Sequence, residues 1–202
     1  MSSKIELVAF DLGNVLCSVD EMSVADQLSA ICDKSSEEVR QIVFDQQHKL
    51  QFESGEITFA EHAVQAISNL GIDMPLDEFT DMYDSVLIPS ESMFPLVSRI
   101  AETYRIALVS NTSEPHWQSA ESFLPFSSLL DPVIVSYAVD SMKPEPLFYQ
   151  ALLDQSGVAA TNILFIDDLP QNIEAAREAD MIGHQFTTQE NLEEVLIELG
   201  VI

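Results

Sequence analysis

Five short apolar runs with helical stretches between the later ones limit what this chain can fold into more than any other feature. The runs cover residues 5–10, 106–110, 133–136, 163–166 and 182–186, and each has the length and bounding turns of a strand. Helical patterns follow at 113–123, 146–155, 170–179 and 190–199. Pro146 suits a first helical turn, and Gly157 stands just beyond the end of that helix. Thr187-x-x-Glu190 reads as a capping box for the last helix. Strands alternating with helices call for a parallel sheet covered on both faces. The expected class is therefore α/β, with a Rossmann-like doubly wound parallel sheet.

The stretch from 17 to 89 reads differently. It has helical periodicity and no convincing strand, with helices expected at 22–32, 37–47, 58–70 and 76–86. Thr58-x-x-Glu61 is a capping box, and Gly71 is a stop signal. This predicts an all-helical cap (17–89) inserted after the first strand of a core formed by 1–16 and 90–202. An insert at the carboxyl end of a strand sits over the crevice where open α/β sheets bind ligands, so it suits a lid. Helices that only add packing fit the pattern as well. With 202 residues, 47% of them hydrophobic, the chain can bury both a core and an insert.

Chemistry-bearing residues gather where the apolar runs stop. Asp11 ends the first run in FDLGNVL, and Ser110 ends the second in VSNTSEPHW. Lys143 follows the third in SMKPEP, and Asp167-Asp168 end the fourth in FIDDLPQN. In a parallel sheet these ends share one edge. A carboxylate leaving a buried strand is costly unless something positive meets it. Three carboxylates together repel unless a hard cation shares them, and Mg²⁺ prefers oxygen ligands. Taken singly, Asp11 also suits a turn, Asp167-Asp168 a helix N-terminus, Ser110 and Asn111 an ordinary loop, and Lys143 a solvated position.

These four motifs, in order and with suitable spacing, resemble the haloacid dehalogenase superfamily of hydrolases, in its helical-cap branch. FDLGNVL, SNTSEPHW and FIDDLPQN are most similar to its glucose-1-phosphate phosphatases. The resemblance implies a Mg²⁺-dependent phosphatase of a small phosphorylated metabolite, such as a sugar phosphate, acting through an aspartyl-phosphate. By the same resemblance Asp11 is the nucleophile, Ser110 holds a phosphoryl oxygen with help from Asn111 and Thr112, and Lys143 offsets charge. Asp11, Asp168 and the carbonyl of Gly13 would ligate Mg²⁺, with Asp167 and Asn172 behind them. His116 completes the SNTxxxH pattern; it suits substrate contact or a packed position.

Gly13 departs from the family pattern, which usually has there an aspartate that protonates the leaving group. Glycine keeps the carbonyl and loses the acid, a group that contributes ~10²–10⁴-fold. The same feature is compatible with a 2-haloacid dehalogenase, whose halide leaves without a proton. It is also compatible with a slow or non-catalytic phosphate-binding relative. Retention of Asp167-Asp168 favours the phosphatase. In the insert, His48 and residues 52–56 suit either substrate contact or a solvated face.

With 8 Lys+Arg against 34 Asp+Glu, the net charge is -26. That field disfavours nucleic acid and anionic membranes as partners. MSSKIELVAF lacks a secretory signal pattern, and no apolar run reaches the length of a membrane span. Cys17 and Cys32 lack metal-ligand spacing and read as reduced thiols, so a cytoplasmic location is expected. Oligomeric state stays open.

Overall fold

The structure, a computed structural model, describes residues 5–202 apart from the side chains of 46–48. Strand β1 (Leu7–Phe10) is buried throughout, and its uninterrupted apolar sequence LVAF fits a strand covered on both faces. The chain then turns into β2 (Cys17–Val19) and runs through α1 (Glu21–Ser29), α2 (Ser36–Val43), α3 (Gln46–Glu53), α4 (Phe59–Leu70) and α5 (Leu76–Asp84). It returns through β3 (Leu87–Pro89), antiparallel to β2 with Cys17 opposite Pro89 and Val19 opposite Leu87.

The insert is therefore not all-helical. Two three-residue strands form a ribbon at its stem, too short to show a period and dependent on a partner far along the chain. The helix expected over 37–47 ends at Val43, and a separate helix, α3, occupies the next segment. Ser35 and Thr58 cap α2 and α4 with reciprocal capping boxes, and Gly71 closes α4 in the left-handed conformation.

After the insert come α6 (Phe94–Ala101), which the sequence pattern does not single out, β4 (Arg105–Ser110) and α7 (Glu114–Phe123). They are followed by β5 (Leu130–Val135), the short α8 (Ser136–Val139), α9 (Pro146–Ser156), β6 (Ile163–Asp167), α10 (Pro170–Glu178), β7 (Ile182–Gln185) and α11 (Gln189–Glu198). The cap of α11 is Thr188 rather than Thr187: its side chain accepts from the Asn191 amide.

The main sheet is parallel, in the order β5-β4-β1-β6-β7. Side-chain alternation divides it into two faces. Val8, Phe10, Leu108 and Ile166 pack with Val97 and Ile100 of α6 and Leu192 and Leu196 of α11. Leu7, Ala9, Val109 and Phe165 pack with Phe148 and Leu152 of α9 and Ile173 of α10. Each fully buried Val, Leu, Ile or Phe among them stabilises the fold by about 1.5–3 kcal/mol. The insert has its own cluster around Leu28, Val39, Phe52, Phe79 and Tyr83. Among the described residues no helix is long and apolar enough to cross a membrane.

Candidate active site

β1 is the middle strand, flanked by β4 and β6, so residues leaving these three strands converge at one edge. Asp11 follows β1 directly. Its amide donates to the carbonyl of Ile166 (2.9 Å), and its Oδ1 accepts from the Leu12 amide (2.7 Å). Lys143 Nζ lies 2.8 Å from Asp11 Oδ1 and 2.6 Å from Asp167 Oδ2, and donates to the Val109 carbonyl at 2.9 Å. All three charged residues are buried.

Asn111 holds this lysine in place from β4's exit. Its Nδ2 donates to the Lys143 carbonyl and its Oδ1 accepts from the Lys143 amide, both at 2.8 Å. Asp167 is engaged on both oxygens: Oδ1 accepts from the Leu169 amide and from Asn172 Nδ2, each at 2.9 Å, while Oδ2 accepts from Asn172 (3.1 Å) and Lys143. Asp168 is half-buried and accepts from Asn14 Nδ2 at 3.0 Å. Asn14 itself adopts a left-handed conformation (φ 55°), which asparagine tolerates better than most residues.

Burial pushes the Asp11 pKa up to about 6; Lys143 works against that rise and Asp167 adds to it. Burial likewise opposes the charge on Lys143, but Asp11 and Asp167 together outweigh it and hold its pKa above the ordinary value. One ammonium gains two partners, whereas the two carboxylates must divide one. Oxygens of Asp11, Asp167 and Asp168 all lie within 4.8 Å of one another. An all-oxygen set of this kind suits a hard divalent cation such as Mg²⁺. Since Asp167 is already fully hydrogen-bonded, Asp11 and Asp168 carry the oxygens best placed to ligate.

A cavity of about 470 Å³ opens over these groups. From the core it is lined by Asp11, Gly13, Ser110, Asn111, Lys143, Asp168 and Asn172; from the insert, Lys49 and Glu53 reach it. Gly13 is not held there by backbone strain or crowding. It lacks a positive φ, and an added Cβ would meet only Val19 Cγ2 at 3.9 Å.

Two residues expected at the phosphate or substrate, Thr112 and His116, lie outside the cavity lining. The Thr112 amide donates to Ser136 Oγ (3.1 Å), and Thr112 is buried away from the cavity lining. His116 is also outside the lining; it is buried against Tyr83, and its pKa falls to about 3 because burial disfavours the imidazolium. Helix α7 starts immediately after the SNT motif and turns His116 toward the insert's α5 instead of the cavity. The side chain of His48 lies outside the described residues. Within 52–56, Phe52 joins the insert's core, Glu53 enters the cavity and Glu56 is exposed. Lys49 and Asn14 had no motif signal of their own, although Asn14 stands inside FDLGNVL.

A doubly wound sheet with buried aspartates and a lysine at its carboxyl edge, beneath a helical insert, defines an α/β enzyme with a carboxylate-centred site. The family model of haloacid dehalogenase-like hydrolases matches residues 5–180, and the chain belongs to this family. In structure it is similar to a HAD family enzyme from Bacteroides thetaiotaomicron in complex with magnesium and inorganic phosphate. That likeness has a TM-score of 0.80 and 25% identity, and covers 95% of this chain and 98% of the other. It also shares its fold with L-2-haloacid dehalogenase from Xanthobacter autotrophicus, at TM-score 0.67 and 20% identity over 98% and 84% of the two chains. Over 91 residues it is 33% identical to flavin mononucleotide hydrolase 1 of Arabidopsis thaliana (45% of this chain, 37% of the relative). Over another match of 91 residues it is 34% identical to a phosphatase from Mycobacterium tuberculosis (42% of each). These matches span about two fifths of the length of the curated relatives.

Proposed function

We propose that the protein is a Mg²⁺-dependent phosphatase of a small phosphorylated metabolite, with sugar phosphates as the favoured class, working through an aspartyl-phosphate. The observation that carries this reading is the Lys143 bridge to Asp11 and Asp167 on the floor of the cavity. It keeps a buried carboxylate ionised and aimed where a phosphoryl group would lie.

In this reading Asp11 attacks phosphorus, the bond to the leaving oxygen breaks, and water then hydrolyses the acyl phosphate. Lys143 offsets negative charge on the nucleophile and on the transferring phosphoryl. Ser110 and the backbone at Asn111 hold phosphoryl oxygens. Asp11, Asp168 and the Gly13 carbonyl would hold Mg²⁺, which supplies charge neutralisation for the phosphoryl oxygens. Asp167 and Asn172 orient that set from behind. The site's local cations matter all the more because a net charge of -26 repels an anionic substrate at long range. The names of the curated relatives and the phosphate in the Bacteroides enzyme's structure agree with this chemistry. Free Cys17 and Cys32 suit a reducing cytoplasm.

Gly13 favours a second reading, a 2-haloacid dehalogenase that needs no leaving-group proton; the retained Asp167-Asp168 pair weighs against it. A panel of phosphate esters with Mg²⁺, run beside 2-chloropropionate without metal, separates the two. Phosphate release that disappears in Asp11→Asn supports the phosphatase. Chloride release alone would replace it.

A further inference from the structure

We propose that Glu53, from the insert, is the general acid of the reaction, protonating the leaving oxygen that Gly13 cannot reach for lack of a side chain. The inference rests on the phosphatase reading. In-line displacement places nucleophile and leaving group on opposite sides of phosphorus. Asp11 comes from the sheet edge, so the leaving oxygen points toward the insert, and Glu53 is the insert's carboxyl among the residues lining that cavity.

Glu53 has the burial an acid needs. It is only 5% exposed at the end of α3, and a buried carboxylate persists as such only with a close cation. Its cation, Lys49, stands off at 4.0 Å and is shared with Glu21 at 3.9 Å. The other charged groups acting on it are Asp11 and Lys143 across the cavity and Glu21 from α1, while Tyr83 from α5 feels the charge of Glu53 in turn. Burial is the largest influence and pushes the Glu53 pKa up to about 7, so a protonated fraction is present at neutral pH. Such a value is well matched to proton transfer under physiological conditions.

The proton balance closes over the two steps. As the phosphorus–oxygen bond breaks, the carboxyl proton of Glu53 passes to the leaving alkoxide, which departs as the alcohol. The resulting carboxylate then takes a proton from the water that attacks the aspartyl-phosphate from the vacated side. Inorganic phosphate leaves, Asp11 is free again, and Glu53 is again protonated.

The experiment compares wild type, Glu53→Gln and Glu53→Asp with Mg²⁺ on two esters. One is p-nitrophenyl phosphate, whose leaving group needs no proton; the other is glycerol 2-phosphate, whose alkoxide does. Glu53→Gln should lower kcat for glycerol 2-phosphate by ~10²-fold or more, while changing the initial burst of nitrophenolate by less than ~3-fold. Glu53→Asp, with its carboxyl set back by one methylene, should also lose more on the alkyl than on the aryl ester, so the outcome does not hang on one variant's folding. An active wild type whose two variants slow the nitrophenolate burst as much as turnover of glycerol 2-phosphate, or slow neither, overturns the role of Glu53 and leaves the phosphatase reading standing. A wild type that releases phosphate from no ester overturns both.

Discussion

The imidazole of His116 lies flat on the ring of Tyr83, with centroids 4.4 Å apart and planes 7° apart. This contact joins α7 of the core to α5 of the insert. His116 Nε2 also stands 3.4 Å from the Tyr83 carbonyl oxygen and 3.9 Å from Asp84 Oδ1. Because burial keeps the imidazole neutral, the approach to Asp84 is not an ion pair. Asp84 responds accordingly: burial, and secondarily Asp81, pushes its pKa up to about 7. Its Oδ1 has no hydrogen-bond partner among the described residues.

Asp84→Asn should therefore stabilise the protein at alkaline pH. The folded-state pKa of about 7 lies above the ordinary 3.8, so the folded form binds more protons between those values. Wild type loses stability as pH rises through that window, whereas an uncharged asparagine does not. Near pH 8 the variant should melt ~2–4 °C higher, the shift that about 1 kcal/mol gives for a chain of this size. Below about pH 4 the difference should vanish. Thermal melts across this range check both the sign and the window; a variant that melts lower at alkaline pH would contradict them.

The parts of the site that can be read from sequence are those where an apolar run simply stops. Asp11, Ser110 and Asp167-Asp168 follow strands of one parallel sheet, and parallel strands bring their carboxyl ends to one edge whatever the intervening loops do. Lys143 joins them because its loop follows β5. Positions set by tertiary contacts are not visible in this way. The six-residue spacing from Ser110 to His116 says nothing about which way the first turn of α7 rotates its side chains. The β2–β3 ribbon exists only because Cys17 meets Pro89 across the whole insert. Glu53 has no local pattern marking it as buried, since its burial comes with the packing of α3 beside α4 and the core's α8.

Lys143→Met should damage both stability and activity. It leaves Asp11 and Asp167 buried without the ammonium they share. Removing one partner of a buried ion pair costs about 3–5 kcal/mol. In metal-free buffer the urea midpoint should fall by a corresponding amount. Added Mg²⁺ should recover part of that loss, because a divalent cation among the carboxylates replaces some of the missing positive charge. Phosphatase activity should drop by ~10²-fold or more even with Mg²⁺. An unchanged midpoint would mean that the lysine does not hold the carboxylates together.

Asn172→Ala acts one step further from the cavity. The Asn172 amide donates to both oxygens of Asp167, and its loss frees that carboxylate to rotate away from Lys143 and its neighbours. Calorimetric titration with Mg²⁺ should show affinity reduced by ~10–100-fold, the usual effect of removing a group that orients a ligand set. Equal affinity in the variant and wild type would exclude the proposed orienting role.

Gly13→Asp tests how the site copes without its usual acid. The position is open: an added Cβ meets Val19 Cγ2 at an ordinary 3.9 Å, and no left-handed φ forbids a side chain. The variant should fold, and its carboxyl should enter the cavity that Gly13 already lines. If Glu53 already donates the proton, a second acid adds little, and hydrolysis of glycerol 2-phosphate should rise by less than ~10-fold. The same substitution placed in Glu53→Gln should matter far more, recovering ~10²-fold of what that variant lost. The two backgrounds must then be non-additive, as expected when two groups serve one proton transfer. A large gain in the wild-type background would instead mean that the native site has no working acid, and that glycine limits the rate of the protein as it stands.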